Sequence, residues 1–252
     1  MTMPHGFSDS EGRKPGTDRL AILIGDEGVA RLRKATVAVV GLGGVGSWAA
    51  EALARSGVGR LVLVDGDNVG PTDLNRQLFA TVPALGMPKP MAATERLAVA
   101  APDTIVTPVT AFLTCDNLDL VFDHSPSVVV DCIDRMEDKR DLVVGCVQRG
   151  IPVVSSMGAG GRLSSVQLRT ADISSTTGCP MARKFRKMLK DAGIASGVRA
   201  VYSLEPARPP ADRVDEGRRP QGSAIWVTAS FGMSLACETV QLLLSAENGL
   251  KS

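Results

Sequence analysis

Hydrophobic positions along this chain alternate between two periods, and the switch points mark out its elements. Two short stretches with helical apolar spacing open the fold, Arg19 to Ile24 and Glu27 to Ala35, separated by Gly25 and Asp26. Thr36-Val37-Ala38-Val39-Val40 is then β-branched or apolar throughout, as a strand covered on both faces must be, and it runs straight into Gly41. Val45 to Ser56 returns to helical spacing and stops at Gly57, after which Arg60 to Val64 reads as a second buried strand. The alternation continues with a helix over Pro88 to Ala100, a strand near Ile105 to Val109, a helix near Asp116 to Phe122, a strand over Ser127 to Asp131, a helix over Glu137 to Arg149 and a strand over Pro152 to Ser155.

Repeated strand–helix–strand crossovers predict an α/β fold with a doubly wound, mostly parallel sheet of the Rossmann-like kind, in which ligands bind outside the carboxyl ends of the strands. Beyond Gly158 the pattern changes. Gly161 to Arg169 alternates like an antiparallel strand, Met181 to Asp191 reads as a basic helix, Tyr202 to Gln221 as a loop rich in proline and arginine, and Trp226 to Ser245 as an apolar helix. The expected organisation is a disordered arm over 1–17, a nucleotide-binding Rossmann-like region over 18–158, and an antiparallel and helical, substrate-facing extension over 159–252 that belongs to the same domain.

Composition narrows the possibilities. With 252 residues, 44% of them hydrophobic, the chain can bury one substantial core. A formal net charge of +1 provides no global attraction for nucleic acid, so any such contact must come from a local patch. The five cysteines are odd in number, widely spaced and without a Cys-x-x-Cys pair, and they read as reduced thiols of a cytoplasmic protein. Met1 to Thr17 lacks the apolar core of a secretory signal. Trp226 to Ser245 carries Thr228, Ser230, Ser234, Glu238, Thr239 and Gln241, which favours a core helix over a membrane span.

The candidate chemistry begins at Gly41-Leu42-Gly43-Gly44-Val45-Gly46, between a predicted strand and a predicted helix, where backbone N–H groups and a helix N-terminus can face a phosphate. Asp65, ending the next strand, suits a carboxylate that accepts hydrogen bonds from ribose hydroxyls. To this point NAD and ATP fit equally. Downstream lie Asp65-Gly66-Asp67, then Asp73-Leu74-Asn75-Arg76-Gln77, Gly86-Met87-Pro88-Lys89, and Asp131-Cys132-Ile133-Asp134. In order and spacing these pieces resemble the ATP site of the ubiquitin-activating superfamily. The resemblance assigns Gly41, Gly43, Gly44, Gly46, Asp65 and Asp67 to the nucleotide, and Arg76, Lys89 and Asp134 to the reacting phosphates and Mg²⁺.

Charge physics agrees with that assignment, although surface ion pairing is the alternative for any one of these charges taken alone. Lys89 sits in the first turn of a helix, where the macrodipole disfavours a cation, so its ammonium is better placed against an anion. Arg76 offers a planar fork of donors for phosphate oxygens. Asp134, just past a strand end, suits Mg²⁺, which prefers carboxylate, water and phosphate oxygens; Asp131 reads as structural. Arg19 precedes Gly25 at the interval where members of the superfamily carry an arginine that reaches the nucleotide of a neighbouring subunit, which implies a homodimer. Asp73 departs from the asparagine usual at its position.

Within the superfamily, sulfur-carrier activators commonly hold zinc through two Cys-x-x-Cys pairs, and this chain has none. Cys179 is the one plausible thioester acceptor, with a neutral structural thiol as the alternative. Val153 to Arg162, Val166 to Ile173, Val45 to Arg55 and Val227 to Gly232 resemble the tRNA threonylcarbamoyladenosine dehydratases. That resemblance implies an ATP-dependent cyclising ligase that adenylates the threonyl carboxylate of a modified adenosine beside the anticodon, after which the carbamoyl nitrogen closes the ring with loss of water. It implies tRNA as substrate and ATP with Mg²⁺ as cofactors, and raises a sulfur-relay protein as a further partner. Arg183, Lys184, Arg186, Lys187 and Lys190, with Arg208, Arg213, Arg218 and Arg219, are the candidate local basic patch for RNA, with a solvated helix face and a disordered loop as the alternative, and Phe185 and Tyr202 are the aromatics near it. Two rival readings remain: activation of the C-terminal Gly-Gly of a small carrier protein, and an NAD-dependent oxidoreductase. Against the second, His5 and His124 lie on the arm and at a helix end, away from the glycine loop.

Overall fold

The computed structural model describes residues 15–209 and 221–245. Of the arm expected over 1–17, residues 1–14 lie outside the described residues, as do Arg213, Arg218 and Arg219, while residues 15–17 are ordered against that expectation. A 3-10 turn, Pro15–Thr17, leads into α1 (Asp18–Lys34), which Gly25 interrupts with φ 75° and ψ 165°, a conformation closed to most residues with a Cβ. The two helical stretches of the sequence are the two halves of α1.

The sheet strands are β1 (Thr36–Val40), β2 (Arg60–Val64), β3 (Ile105–Val109), β4 (Val128–Asp131), β5 (Val153–Ser156), β6 (Leu168–Asp172) and β7 (Arg199–Ser203). They lie in the order β3-β2-β1-β4-β5-β7-β6, parallel except for β6, which runs antiparallel to β7. The connecting helices are α2 (Gly46–Arg55), α3 (Lys89–Ala100), α4 (Asp119–Phe122), α5 (Met136–Gln148), α6 (Pro180–Asp191) and α7 (Ile225–Ser245).

The period of two in β1 sorts its side chains between two cores. Val37 and Val39 face a core with α1, α2, α3 and α7, while Ala38 and Val40 face one with α4, α5 and α6. Helix α7 buries Val227, Thr228, Phe231, Gly232, Leu235, Ala236, Thr239 and Leu243, a stripe at spacings of three and four, so its apolar length serves the core. At Gly232 a Cβ would stand 2.6 Å from the Val45 carbonyl oxygen and 2.7 Å from Trp48 Cβ, so α7 and α2 meet here as only glycine allows.

Three expectations need correcting. Residues 161–167 form no strand: Gly161 turns at φ 73°, Arg162 folds inward to be buried, and the edge strand β6 starts at Leu168. The helix expected over Asp116 to Phe122 is a 3-10 turn followed by the four residues of α4, because Asn117 Oδ1 accepts the Thr114 N–H (2.8 Å) and caps the turn. Tyr202 opens no loop; it is buried in β7, whose neighbours on both sides are strands.

Candidate active site

Order in the sheet reverses between β1 and β4, and at that switch point the carboxyl ends of β1, β2, β4 and β5 frame a cavity of about 520 Å³. The turn after β1 forms its floor. Gly41 has φ 90°, and a Cβ there would stand 2.7 Å from the Cys132 carbonyl oxygen; at Gly46 it would overlap the Gly41 carbonyl oxygen. Gly43 differs, because a Cβ there would meet nothing closer than Gln77 Nε2 at 3.9 Å. Its missing side chain leaves open space above the backbone, a cradle suited to a ligand. No side chain caps α2, whose N-terminus rises directly from this turn, although the Ser47 N–H is taken up by the Gly43 carbonyl at 3.1 Å.

The carboxylate of Asp65 ties this floor to β2. Its Oδ2 accepts the Leu42 N–H at 2.6 Å and its Oδ1 the Asp67 N–H at 2.8 Å. Burial pushes its pKa above the ordinary carboxylate value, more strongly than these hydrogen bonds and Lys89 lower it. Residues 67–69 then run beside 86–89: Val69 N–H donates to the Met87 carbonyl at 2.8 Å, and Lys89 N–H to the Asp67 carbonyl at 2.9 Å. That pairing starts α3 with Lys89 in the cavity wall, its side chain 8% exposed and its Nζ 3.0 Å from Asp67 Oδ2.

Arg76 arches over the loop, with Gly44 leaving room for its stem. Its Nη1 donates to the Thr72 carbonyl (2.7 Å) and Asn75 Oδ1 (3.1 Å), and Trp48 Nε1 donates to its carbonyl oxygen at 3.0 Å. Asp73 organises the segment from below: it accepts the Gly70 N–H (3.0 Å), Gln77 Nε2 (2.6 Å) and Arg76 Nη2 (3.4 Å). The departure from asparagine thus places a buried acid under Arg76.

Asp134 stands exposed at the opposite wall and makes no ion pair among the described residues. The turn that carries it is anchored by Asp131 and Lys139, both fully buried with Nζ 2.7 Å from Oδ2. Lys139 Nζ also donates to the Ile133 carbonyl (3.0 Å), Asp131 Oδ1 accepts the Ile133 N–H (3.1 Å), and Ser155 Oγ donates to Oδ2 (2.6 Å). Asp131 is therefore structural, as its burial in the strand pattern suggests. Among the described residues no cluster of three or more acids, histidines or cysteines forms a metal cage. A single carboxylate beside an open glycine cradle is a donor set that Mg²⁺ accepts when most of its oxygens come from a ligand and water.

The cavity thus unites Gly41, Gly43, Gly44, Asp65, Asp67, Arg76, Lys89 and Asp134 in its lining, with Gly46 at the turn beneath. Arg19 is apart from it. Thr17, two residues earlier, packs on Gly57 at the amino end of β2, the edge of the sheet opposite the cavity. Sequence reasoning missed Arg135 in the wall and Arg162, which lies buried with Nε on the Glu205 carbonyl (3.1 Å), Nη1 on the Gly158 and Gly160 carbonyls and Nη2 on Cys179 Sγ (3.7 Å). A glycine-rich run before an arginine is the one signal that hinted at such a fold-back. The thiols offer no nucleophile here: burial and Asp131 push Cys132, which touches the cavity, far up, and Cys179 is buried under Arg162. Phe185 and Tyr202, the aromatics expected near RNA, are both buried.

Comparison with known proteins agrees with this geometry. The sequence model of the ThiF family matches residues 17–252. The chain is 41% identical over 203 residues to the tRNA threonylcarbamoyladenosine dehydratase of Bacillus subtilis, which covers 81% of this chain and 76% of that protein. It superposes on a crystal structure of the Escherichia coli tRNA N6-threonylcarbamoyladenosine dehydratase in complex with ATP with a TM-score of 0.87 at 32% identity, covering 96% of this chain and 98% of that one. Similarity to the molybdopterin-synthase adenylyltransferase of Salmonella typhimurium, 39% identical, stops at 51% of each chain. With its glycine cradle, its seven-stranded sheet and a likeness that runs through both the nucleotide half and the C-terminal third, the chain belongs to the ThiF family and, within it, to the tRNA threonylcarbamoyladenosine dehydratases.

Proposed function

We propose that this protein uses Mg-ATP to adenylate the threonyl carboxylate of N6-threonylcarbamoyladenosine in tRNA and closes it to the cyclic form. The observation that carries the reading is the convergence of an open glycine cradle, a ribose-type carboxylate and two cations on one cavity at the switch point of the sheet. Gly43, Gly44 and the start of α2 hold the phosphates, Asp65 the ribose, and Lys89 and Arg76 absorb charge on the transferring phosphoryl group. Asp134 would supply the protein oxygen for Mg²⁺, which when bound would neutralise phosphate charge. A carboxylate oxygen of the substrate bonds to the α-phosphorus as pyrophosphate leaves. The carbamoyl nitrogen then attacks the activated carbonyl carbon and gives up its proton to solvent, and AMP departs with the former carboxylate oxygen, so that the nucleoside loses the elements of one water. The nucleophile belongs to the substrate; Cys132, the one thiol among the described lining residues, has its pKa pushed up by burial.

A homodimer fits the same reading. Arg19 stands exposed beside Ile22 and Leu23, each 80% exposed on the first half of α1, an apolar surface suited to a second copy whose nucleotide Arg19 would then reach. Helix α6 presents Arg183, Lys184, Lys187 and Lys190 to solvent as the basic face for the tRNA backbone, while Arg186 is spent on the Thr176 carbonyl and hydroxyl (2.8 and 2.7 Å). The test is pyrophosphate release by the purified protein with Mg-ATP and either tRNA carrying the modified adenosine or a carrier protein ending in Gly-Gly. Release that depends on the modified tRNA supports the proposal, and release that depends on the carrier overturns it.

A further inference from the structure

A second cavity, of about 440 Å³, adjoins the nucleotide cavity and shares Gln221 and Ser223 with it. Its walls include Asn75, Leu163, Arg208 and Trp226. Trp226 is the second residue of α7, where an apolar helix pattern predicts burial, yet it is 54% exposed. Its indole is not loose: Nε1 donates to the Leu163 carbonyl at 2.7 Å, which satisfies the one polar group of the ring and fixes its plane. The opposite rim is closed by a knot of backbone bonds, Gly161 N–H to the Gly222 carbonyl and Arg208 N–H to the Gly161 carbonyl, each 2.7 Å, with Gln221 Nε2 on the Arg208 carbonyl at 3.2 Å. Asn75 joins the two cavities. Its Nδ2 donates to the Ser223 carbonyl (3.2 Å) while its Oδ1 accepts from Arg76 Nη1 (3.1 Å), which links the wall of the second cavity to the arginine of the first.

We infer that this second cavity is the nucleoside subsite and that Trp226 stacks on a nucleobase of the RNA, the modified adenine itself, holding its carboxylate arm toward the shared mouth at Gln221 and Ser223. The inference rests on the proposed tRNA substrate. Three features single out a base as occupant. A fixed, half-exposed indole is the surface on which unstacked bases are held; the cavity has the size of a small-molecule site, with Leu163, Ile225 and Trp226 as apolar wall and Asn75, Arg208, Gln221 and Ser223 as polar groups around it; and it opens at Gln221 and Ser223 onto the cavity proposed for the nucleotide. Phe185 and Tyr202 are buried, Trp48 is committed to the Arg76 carbonyl, and Phe112, 59% exposed, lines the nucleotide cavity and not this one.

The test compares the wild-type chain with Trp226→Ala and Trp226→Phe, measuring KM and kcat for modified tRNA and, by calorimetry, affinity for Mg-ATP. Because the ring is half exposed, both variants keep the fold, which circular dichroism checks. Trp226→Ala is expected to raise KM for tRNA about tenfold, equivalent to ~1.4 kcal/mol, with Mg-ATP affinity unchanged and Trp226→Phe close to wild type. The free modified nucleoside should quench the fluorescence of the wild-type chain and leave that of Trp226→Phe unaltered. An unchanged KM in Trp226→Ala, equal loss in both variants, or a parallel fall in Mg-ATP affinity would overturn the subsite while leaving the proposed reaction standing. A wild-type chain inert toward modified tRNA would instead remove the reaction, and the subsite with it.

Discussion

Replacing Lys139 by methionine probes the anchor of the Asp134 turn. At an effective dielectric of about 20, two unit charges 2.7 Å apart attract by about 6 kcal/mol, which roughly offsets the several kcal/mol each ion loses on leaving water. The intact pair is therefore close to neutral in net stability, but methionine strands the fully buried Asp131 carboxylate with only Ser155 Oγ and the Ile133 N–H, and frees the Ile133 carbonyl. The expected loss is ~3–5 kcal/mol, a fall of roughly 6–20 °C in Tm for a chain of this size. Thermal unfolding followed by circular dichroism measures it. In the double variant Asp131→Asn, Lys139→Met the stranded charge is gone, and most of that stability returns. Mg-ATP affinity should stay low in both, since neither restores a donor to Ile133. A single variant within ~1 kcal/mol of wild type, or a double variant no better than the single one, would refute the argument that the buried charge pair holds this turn.

Lys89→Ala and Arg76→Ala should each cut tRNA-dependent pyrophosphate release by roughly 10²–10³-fold, the cost of losing one preorganised donor to a transition state, while Lys89→Ala changes thermal unfolding little because Asp67, the charge it leaves unpaired, has a side chain 55% exposed. Arg19→Ala should be as inactive as Lys89→Ala, yet mixing the two subunits should restore part of the activity through dimers with one intact shared site; a fully inactive mixture contradicts sharing. For Asp65 the sign runs in two directions. Its carboxyl keeps a proton to a higher pH than an ordinary aspartate, so Mg-ATP affinity should weaken on acidification above the usual carboxylate range. The fold gains rather than loses stability from that proton, since the folded pKa lies above the unfolded one. Calorimetric titrations across pH should show this slope in wild type and a flat profile in Asp65→Asn.

The parallel part of the fold was legible because its strands are buried on both faces: β1, β2 and β3 occupy the stretches their β-branched runs predict, and the glycine turn sits where strand becomes helix. Legibility failed where tertiary contacts outrank local pattern. Alternation over Gly161 to Arg169 reads as a strand, but Arg162 reaches carbonyls at 158, 160 and 205, which spacing cannot reveal. The Asp131–Lys139 pair joins a strand to the next helix without any periodic signal, and Trp226 at the head of an apolar helix looks like core until its neighbours are known. Charges gathered at the cavity were readable as a set only through their resemblance to a known order, because each alone passes for a surface ion pair.

The decisive observation is the mass of the modified nucleoside in tRNA after incubation with this protein and Mg-ATP. The account predicts a nucleoside lighter by one water, formed with matching amounts of AMP and pyrophosphate. Consumption of ATP with the nucleoside unchanged would contradict it.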